Sequence, residues 1–64
     1  MKPISELKGF NMKRVILRYN HGYITTGFFK DGMIQLDGYQ NWTNPKEFQS
    51  FMLIDDFKKL IDLK

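Results

Sequence analysis

Cysteine is absent from the chain and histidine occurs once, at His21. No disulfide can therefore staple the fold, and no Cys/His metal cluster or cysteine nucleophile can be assembled. Small scaffolds usually draw on such supports, because a domain of about 60 residues buries only about 60% of its unfolded chain's surface. What remains is association between subunits, so a homo-oligomer is expected. Long apolar runs are missing too. Nothing approaches the roughly 20 residues that span a bilayer, and Met1-Lys2-Pro3-Ile4-Ser5-Glu6 contains no apolar signal-peptide core. No membrane partner is expected, and the expected location is the cytoplasm, where the acceptor-like Asn41-Trp42-Thr43 has no meaning as a glycosylation site. Gly27, Gly32 and Gly38 fall in a strand pattern and after turns rather than at the opening of a helix. They form no phosphate-binding loop, and no cofactor is expected.

The 42% hydrophobic and 16% aromatic content is that of a folded domain, since disordered segments are poor in aromatics and cannot offset chain entropy by burial. The formal charge of +3 is unevenly placed: residues 1–30 hold six Lys or Arg against Glu6 alone, and residues 31–64 hold four against six acids. Such asymmetry suits a nucleic-acid face or an ordinary solvated surface.

A single domain over residues 1–64 is expected, α+β in class and mostly β: a small antiparallel meander of three to four strands with a short C-terminal helix. Residues 1–11 form a lead-in with a helical turn at Ser5-Glu6-Leu7-Lys8, stopped by Gly9. Residues 12–54 carry the sheet. Within it, a two-residue loop at His21-Gly22 would oppose Val15 to Phe28 and Leu17 to Thr26. At the next turn a two-residue Asp31-Gly32 loop would set Phe28 against Gln35, so a three-residue Lys30-Asp31-Gly32 loop with a G1 bulge is preferred, setting Phe28 against Ile34. The core face then reads Val15, Leu17, Tyr19, Ile24, Phe28, Ile34 and Leu36, leaving Arg14, Ile16, Arg18, Tyr23, Thr25, Gly27, Phe29, Met33, Gln35 and Asp37 on the other.

Residues 38–47 read as a polar loop in which Asn44, Pro45 and Glu47 make a helical capping pattern, so residues 45–54 are either a helix with Phe48, Phe51 and Met52 on its inner side or, preferred, a turn followed by a buried strand at Phe51-Met52-Leu53-Ile54. Residues 55–63 form the helix, capped by Asp55 or Asp56, with Phe57, Leu60, Ile61 and Lys64 recurring at helical spacing. So short a helix is marginal in water and must dock on the sheet or on a partner.

Catalysis finds little purchase, because a Ser/His/Asp set would have to use His21 in a tight turn, and the adjacent Asp55 and Asp56 are better explained by a helix start than by a metal. No enzymatic activity is expected. For binding, the candidates are Arg14, Arg18, Tyr23 and Phe29 on one sheet face, with Tyr39 and Trp42 on the loop. Basic groups among aromatics suit phosphate contacts and base stacking; the alternative is a solvated face whose arginines lie over rings. Ile16, Phe29 and Met33 make that face too apolar for water alone and are the expected oligomer seam.

The turns Arg18-Tyr19-Asn20-His21-Gly22-Tyr23 and Phe28-Phe29-Lys30-Asp31-Gly32, with the closing Phe51-Met52-Leu53-Ile54, resemble a family of short domains of unknown function common in phages and prophages. The resemblance covers residues 14–54. That family typically closes on His-Trp-Met-Pro-Leu-Pro, of which Ser50-Phe51-Met52-Leu53-Ile54-Asp55 lacks the His, the Trp and both prolines. It implies a mobile-element origin and supplies no activity or site residue. The expected function is that of a non-enzymatic interaction protein that binds and inhibits a host protein, such as a defence component, with nucleic-acid or nucleotide binding as the alternative.

Overall fold

The computed structural model describes residues 1–62. Its strands are β1 (Lys2–Pro3), β2 (Lys13–Tyr19), β3 (Ile24–Lys30), β4 (Met33–Leu36), β5 (Trp42–Thr43) and β6 (Phe48–Leu53), and one α-helix, α1 (Ile54–Asp62), follows. All pairings are antiparallel in one open sheet of order β1-β6-β2-β3-β4-β5. The fold is thus α+β and mostly β, as the alternation predicts. The sheet is larger than the three to four strands expected, because β6 returns to pair with β2 while β1 and β5 add two-residue edges. Such short edges offer little open ladder to another chain.

The lead-in forms a 3-10 helix, Ile4–Gly9. Its three-residue turn matches the spacing of Ile4, Leu7 and Phe10, so Leu7 is buried and Ile4 and Phe10 pack beside it. Phe10 meets Phe51 with ring centroids 5.7 Å apart. The core comprises Leu7, Val15, Leu17, Phe29, Ile34, Leu36, Phe48 and Phe51, with Tyr19 and Leu53 at its margin. Each such side chain contributes about 1.5–3 kcal/mol of transfer free energy. So short a 3-10 segment cannot cover six strands; the burial of Ile34 and Leu36 implies that the sheet coils over its own apolar face.

The hairpin registers correct the expectation. At the first turn the Tyr19 carbonyl accepts from Gly22 N at 2.9 Å, Tyr19 N donates to the Tyr23 carbonyl at 2.8 Å, and Gly22 has φ +100°. This is a three-residue Asn20-His21-Gly22 loop with the glycine at the bulge position. At the second, Lys30 pairs with Met33 across Asp31 (φ +51°) and Gly32 (φ +82°), the two-residue type I′ geometry that Asp-Gly favours. The two loop lengths are the reverse of those expected. Each reversal moves the register by one residue, in opposite senses, so β4 keeps its face and β3 alone is turned over. Val15 faces Gly27 and Leu17 faces Thr25. Phe29 enters the core at 3% exposure, whereas Phe28 and Ile24, expected inside, lie on the opposite face, Ile24 being 58% exposed.

Gly27 takes a core position because nothing larger fits. A Cβ there would lie 2.9 Å from the Gln35 carbonyl oxygen and 3.0 Å from Ile34 Cγ2. The preferred turn and strand are found with shifted bounds: Asn44 Oδ1 accepts from Lys46 N at 2.9 Å at the head of a 3-10 turn, Pro45–Glu47, and β6 already starts at Phe48 and ends at Leu53, leaving Ile54 to the helix. The helix starts at Ile54, directly after β6, so Asp55 and Asp56 lie within its first turn rather than capping it. The expected end of the helix at residue 63 and the stripe position Lys64 lie outside the described residues.

Candidate functional site

Turning β3 over rebuilds the outer face of the sheet. One row of directly opposed residues crosses four strands as Arg14, Phe28, Gln35 and Trp42. The next row carries Met52, Ile16 and Thr26, and a third carries Ser50, Arg18 and Ile24. Side chains directly opposite in neighbouring strands stand about 4.5–5.5 Å apart at Cβ, so these rows form a continuous surface. It is apolar in the middle, where Ile16, Phe28, Met33 and Met52 are half-buried, and aromatic at the β5 edge, where Trp42 is 43% exposed.

Two shallow hollows indent this face. One of about 380 Å³ is lined by Arg14, Phe28, Gln35, Asp37, Tyr39 and Gln40. A second of about 220 Å³ lies among Lys30, Asp31, Met33 and Trp42.

The charges are unequally placed for binding anions. Arg14 Nη2 lies 2.8 Å from Asp37 Oδ2, the single ion pair among the described residues, and the Thr26 hydroxyl donates to the same oxygen. Arg14 is thereby held over the sheet with its charge already answered, although an exposed pair of this kind adds little stability. Arg18 and Lys30 have no acidic partner among the described residues.

Of the residues singled out from the sequence, Arg14, Arg18, Ile16, Met33 and Trp42 share the outer face, and Tyr39 lines its larger hollow. Phe29 does not; it is a core residue, so neither the binding set nor the seam can include it. Tyr23 also stands apart, edge-on to His21 at 4.9 Å, in a string of rings running from Phe48 through Tyr19 and His21 to the hairpin tip. The residues missed are Phe28, Ile24 and Met52, whereas Gln35 stands on the face expected for it. The signal that would have found Phe28 and Ile24 is the Asp31-Gly32 dipeptide, read as a two-residue turn.

His21 stacks on Tyr19 with centroids 4.7 Å apart and accepts a long 3.4 Å contact from Tyr23 N. No group of three metal-ligating side chains converges among the described residues. No helix among them is long and apolar enough to cross a membrane. Comparison with protein-family models, curated proteins and solved structures returned no match.

Proposed function

We propose that the protein is a small, non-enzymatic interaction domain whose outer sheet face binds another protein. The observation that carries this reading is the composition of that face: it holds Ile16, directly opposite Met52, together with Ile24, Phe28 and Met33, and Trp42 stands exposed at its edge. Contiguous apolar surface of this kind, with an aromatic anchor and a polar rim, is the composition of a protein-binding patch. In the phage setting that the sequence resemblance implies, the covered surface belongs to a host protein and the consequence is inhibition.

The reading is tested by affinity capture from host extract with the wild-type chain, Trp42→Ala and Ile24→Asp, each checked for retained fold by circular dichroism. A host protein retained in near-stoichiometric amount by the wild type, and bound at least about tenfold more weakly by Trp42→Ala, is the expected result, because truncating a tryptophan hot spot costs about 2 kcal/mol or more. Capture that is the same for all three chains, or no stoichiometric capture, overturns it.

Nucleic-acid binding is the second reading, favoured by the Arg14, Phe28, Gln35 and Trp42 row, which sets a guanidinium beside one ring and carries a second ring one strand beyond Gln35. The Arg14–Asp37 pair weighs against it, since it leaves Arg18 and Lys30 as the unanswered cations of that face. Two phosphate contacts give a salt slope of only about −1.4 on a single strand. An oligonucleotide titration at low salt that shows tight binding, abolished by Arg18→Ala, would place this reading first.

A further inference from the structure

The two hollows of the outer face lie on either side of one row of side chains. Phe28, Gln35 and Trp42 stand directly opposite one another on β3, β4 and β5 and form a ridge. The larger hollow extends from that ridge toward Asp37, and the smaller extends the other way, toward Lys30 and Met33 at the turn. Rows on one face repeat every two residues, about 6.8 Å along a strand. The smaller hollow is also displaced toward β5, where Trp42 lines it, so the two are about 8 Å apart. An exposed ring edges each: Tyr39, 68% exposed, the larger, and Trp42 the smaller. On the reading that the outer face binds protein, on which this inference rests, we propose that the two hollows take a proline-rich segment of the partner in polyproline II conformation, one proline of a Pro-x-x-Pro motif seated in each.

Spacing, charge and hydrogen-bonding chemistry select this occupant. Polyproline II rises about 3.1 Å per residue with three residues per turn, so residues i and i+3 project from the same side about 9 Å apart, close to the separation of the hollows. An amphipathic helix would need one unbroken groove for its anchors, which the ridge interrupts. An added strand would need an open ladder, which the two-residue edge at β5 does not offer. Charge cancels within each hollow: Arg14 is paired with Asp37 in the larger, and Lys30 adjoins Asp31 in the smaller. An uncharged segment is complementary to both hollows, and an anionic one to neither. The polyproline II backbone has no internal hydrogen bonds, so its carbonyls are free acceptors. Donors stand along the ridge and its margin: the indole N–H of Trp42, the hydroxyl of Tyr39, and the amide of Gln35, which is held only by a long 3.4 Å contact to the Gln40 carbonyl. A segment already extended loses little entropy on docking, which lets shallow hollows hold it.

The test is an NMR titration of the isotope-labelled full chain with decaproline and with an array of short Pro-x-x-Pro peptides of varied x, up to about 2 mM so that a millimolar complex is seen. Binding by decaproline or by members of the array is expected, with shifts at the Trp42 indole N–H, the Gln35 amide and Tyr39 and none along α1. Trp42→Ala and Tyr39→Ala should each weaken it at least about tenfold, and Leu60→Ala should leave it unchanged. Tyr39 lies in the exposed loop, so its variant keeps the test decisive if Trp42→Ala disturbs β5. Absence of binding by every proline peptide, equal binding by glycine-serine peptides of the same length, binding that survives both aromatic variants, or tighter binding of oligothymidylate at the same signals would each overturn the proposal. A host protein whose capture depends on Trp42 but which these peptides do not displace would sink the proline ligand and leave the protein-binding face standing. Absence of any Trp42-dependent capture would sink that face itself.

Discussion

The two hairpins that share β3 turn by different chemistry. The first closes through Asn20-His21-Gly22 and tolerates only one left-handed residue, Gly22; the second closes through Asp31-Gly32 and places both residues at positive φ. The first is also held from outside. Asn20 N donates to the Glu47 carbonyl at 3.0 Å, its Nδ2 donates to the Lys46 carbonyl at 2.8 Å, and Gln49 Nε2 reaches the Tyr19 carbonyl at 3.1 Å. The second tip has a lighter tether, Asp31 N to Asn11 Oδ1 at 2.8 Å. A three-residue loop followed by a two-residue loop presents Phe29 to the core and Phe28 to the outer face. Loop length thus decides which ring enters the core and which stands on the outer face, because one residue of slip exchanges the two.

The largest expected break of this comparison comes from the two adjacent phenylalanines. Phe29→Ala should cost about 3–5 kcal/mol, as for a fully buried ring. That is a large part of what a domain of this size has, since stability runs at roughly 0.05–0.15 kcal/mol per residue. Phe28→Ala should cost less than about 1.5 kcal/mol, because a half-buried ring on an open face leaves no sealed cavity. Urea denaturation measures both, and equal losses would mean that β3 is not turned as described. Next in size, Gly27→Ala should destabilise by about 1–3 kcal/mol, because the added methyl must displace β4 at the Gln35 carbonyl; a neutral result would place Gly27 on the outer face. Smallest is Gly32→Ala, about 1 kcal/mol from a side chain at φ +82° with open space around it. An unchanged midpoint there would mean that Gly32 does not hold a positive φ.

Why the register could not be read in advance is visible in β3 itself. Ile24, Thr26 and Phe28 alternate with Thr25, Gly27 and Phe29, so a phenylalanine and a threonine stand on each face whichever way the strand is turned. Binary pattern decides a register only when the two faces differ chemically. Here both turns also offer a glycine at a permissive position. The choice falls to contacts distant in sequence: the ring space beside the core, and the close approach of Gly27 to the β4 backbone. The candidate site inherits the same ambiguity. Arg14, Arg18, Ile16 and Trp42 were legible because their positions do not depend on β3, whereas Phe28 and Phe29 exchanged places with it. The edge strands β1 and β5 escaped notice for another reason, being two residues long, too short for any alternation to show.

The sequence by itself determined the class, through alternation over residues 12–36 and helical spacing in the C-terminal segment. It also set a helical turn in the lead-in, although that turn runs through Gly9 and is capped at Phe10, and the Asn44-Pro45 start of the turn before β6. These are local matters, governed by backbone sterics and by which side chains recur at which period. Tertiary structure alone decided which face of β3 is inside, that β6 closes on β2, and that the apolar stripe of α1 stays open. Those outcomes rest on the packing of residues far apart in the chain, where volume and close backbone approach choose between arrangements that local preference leaves nearly equal.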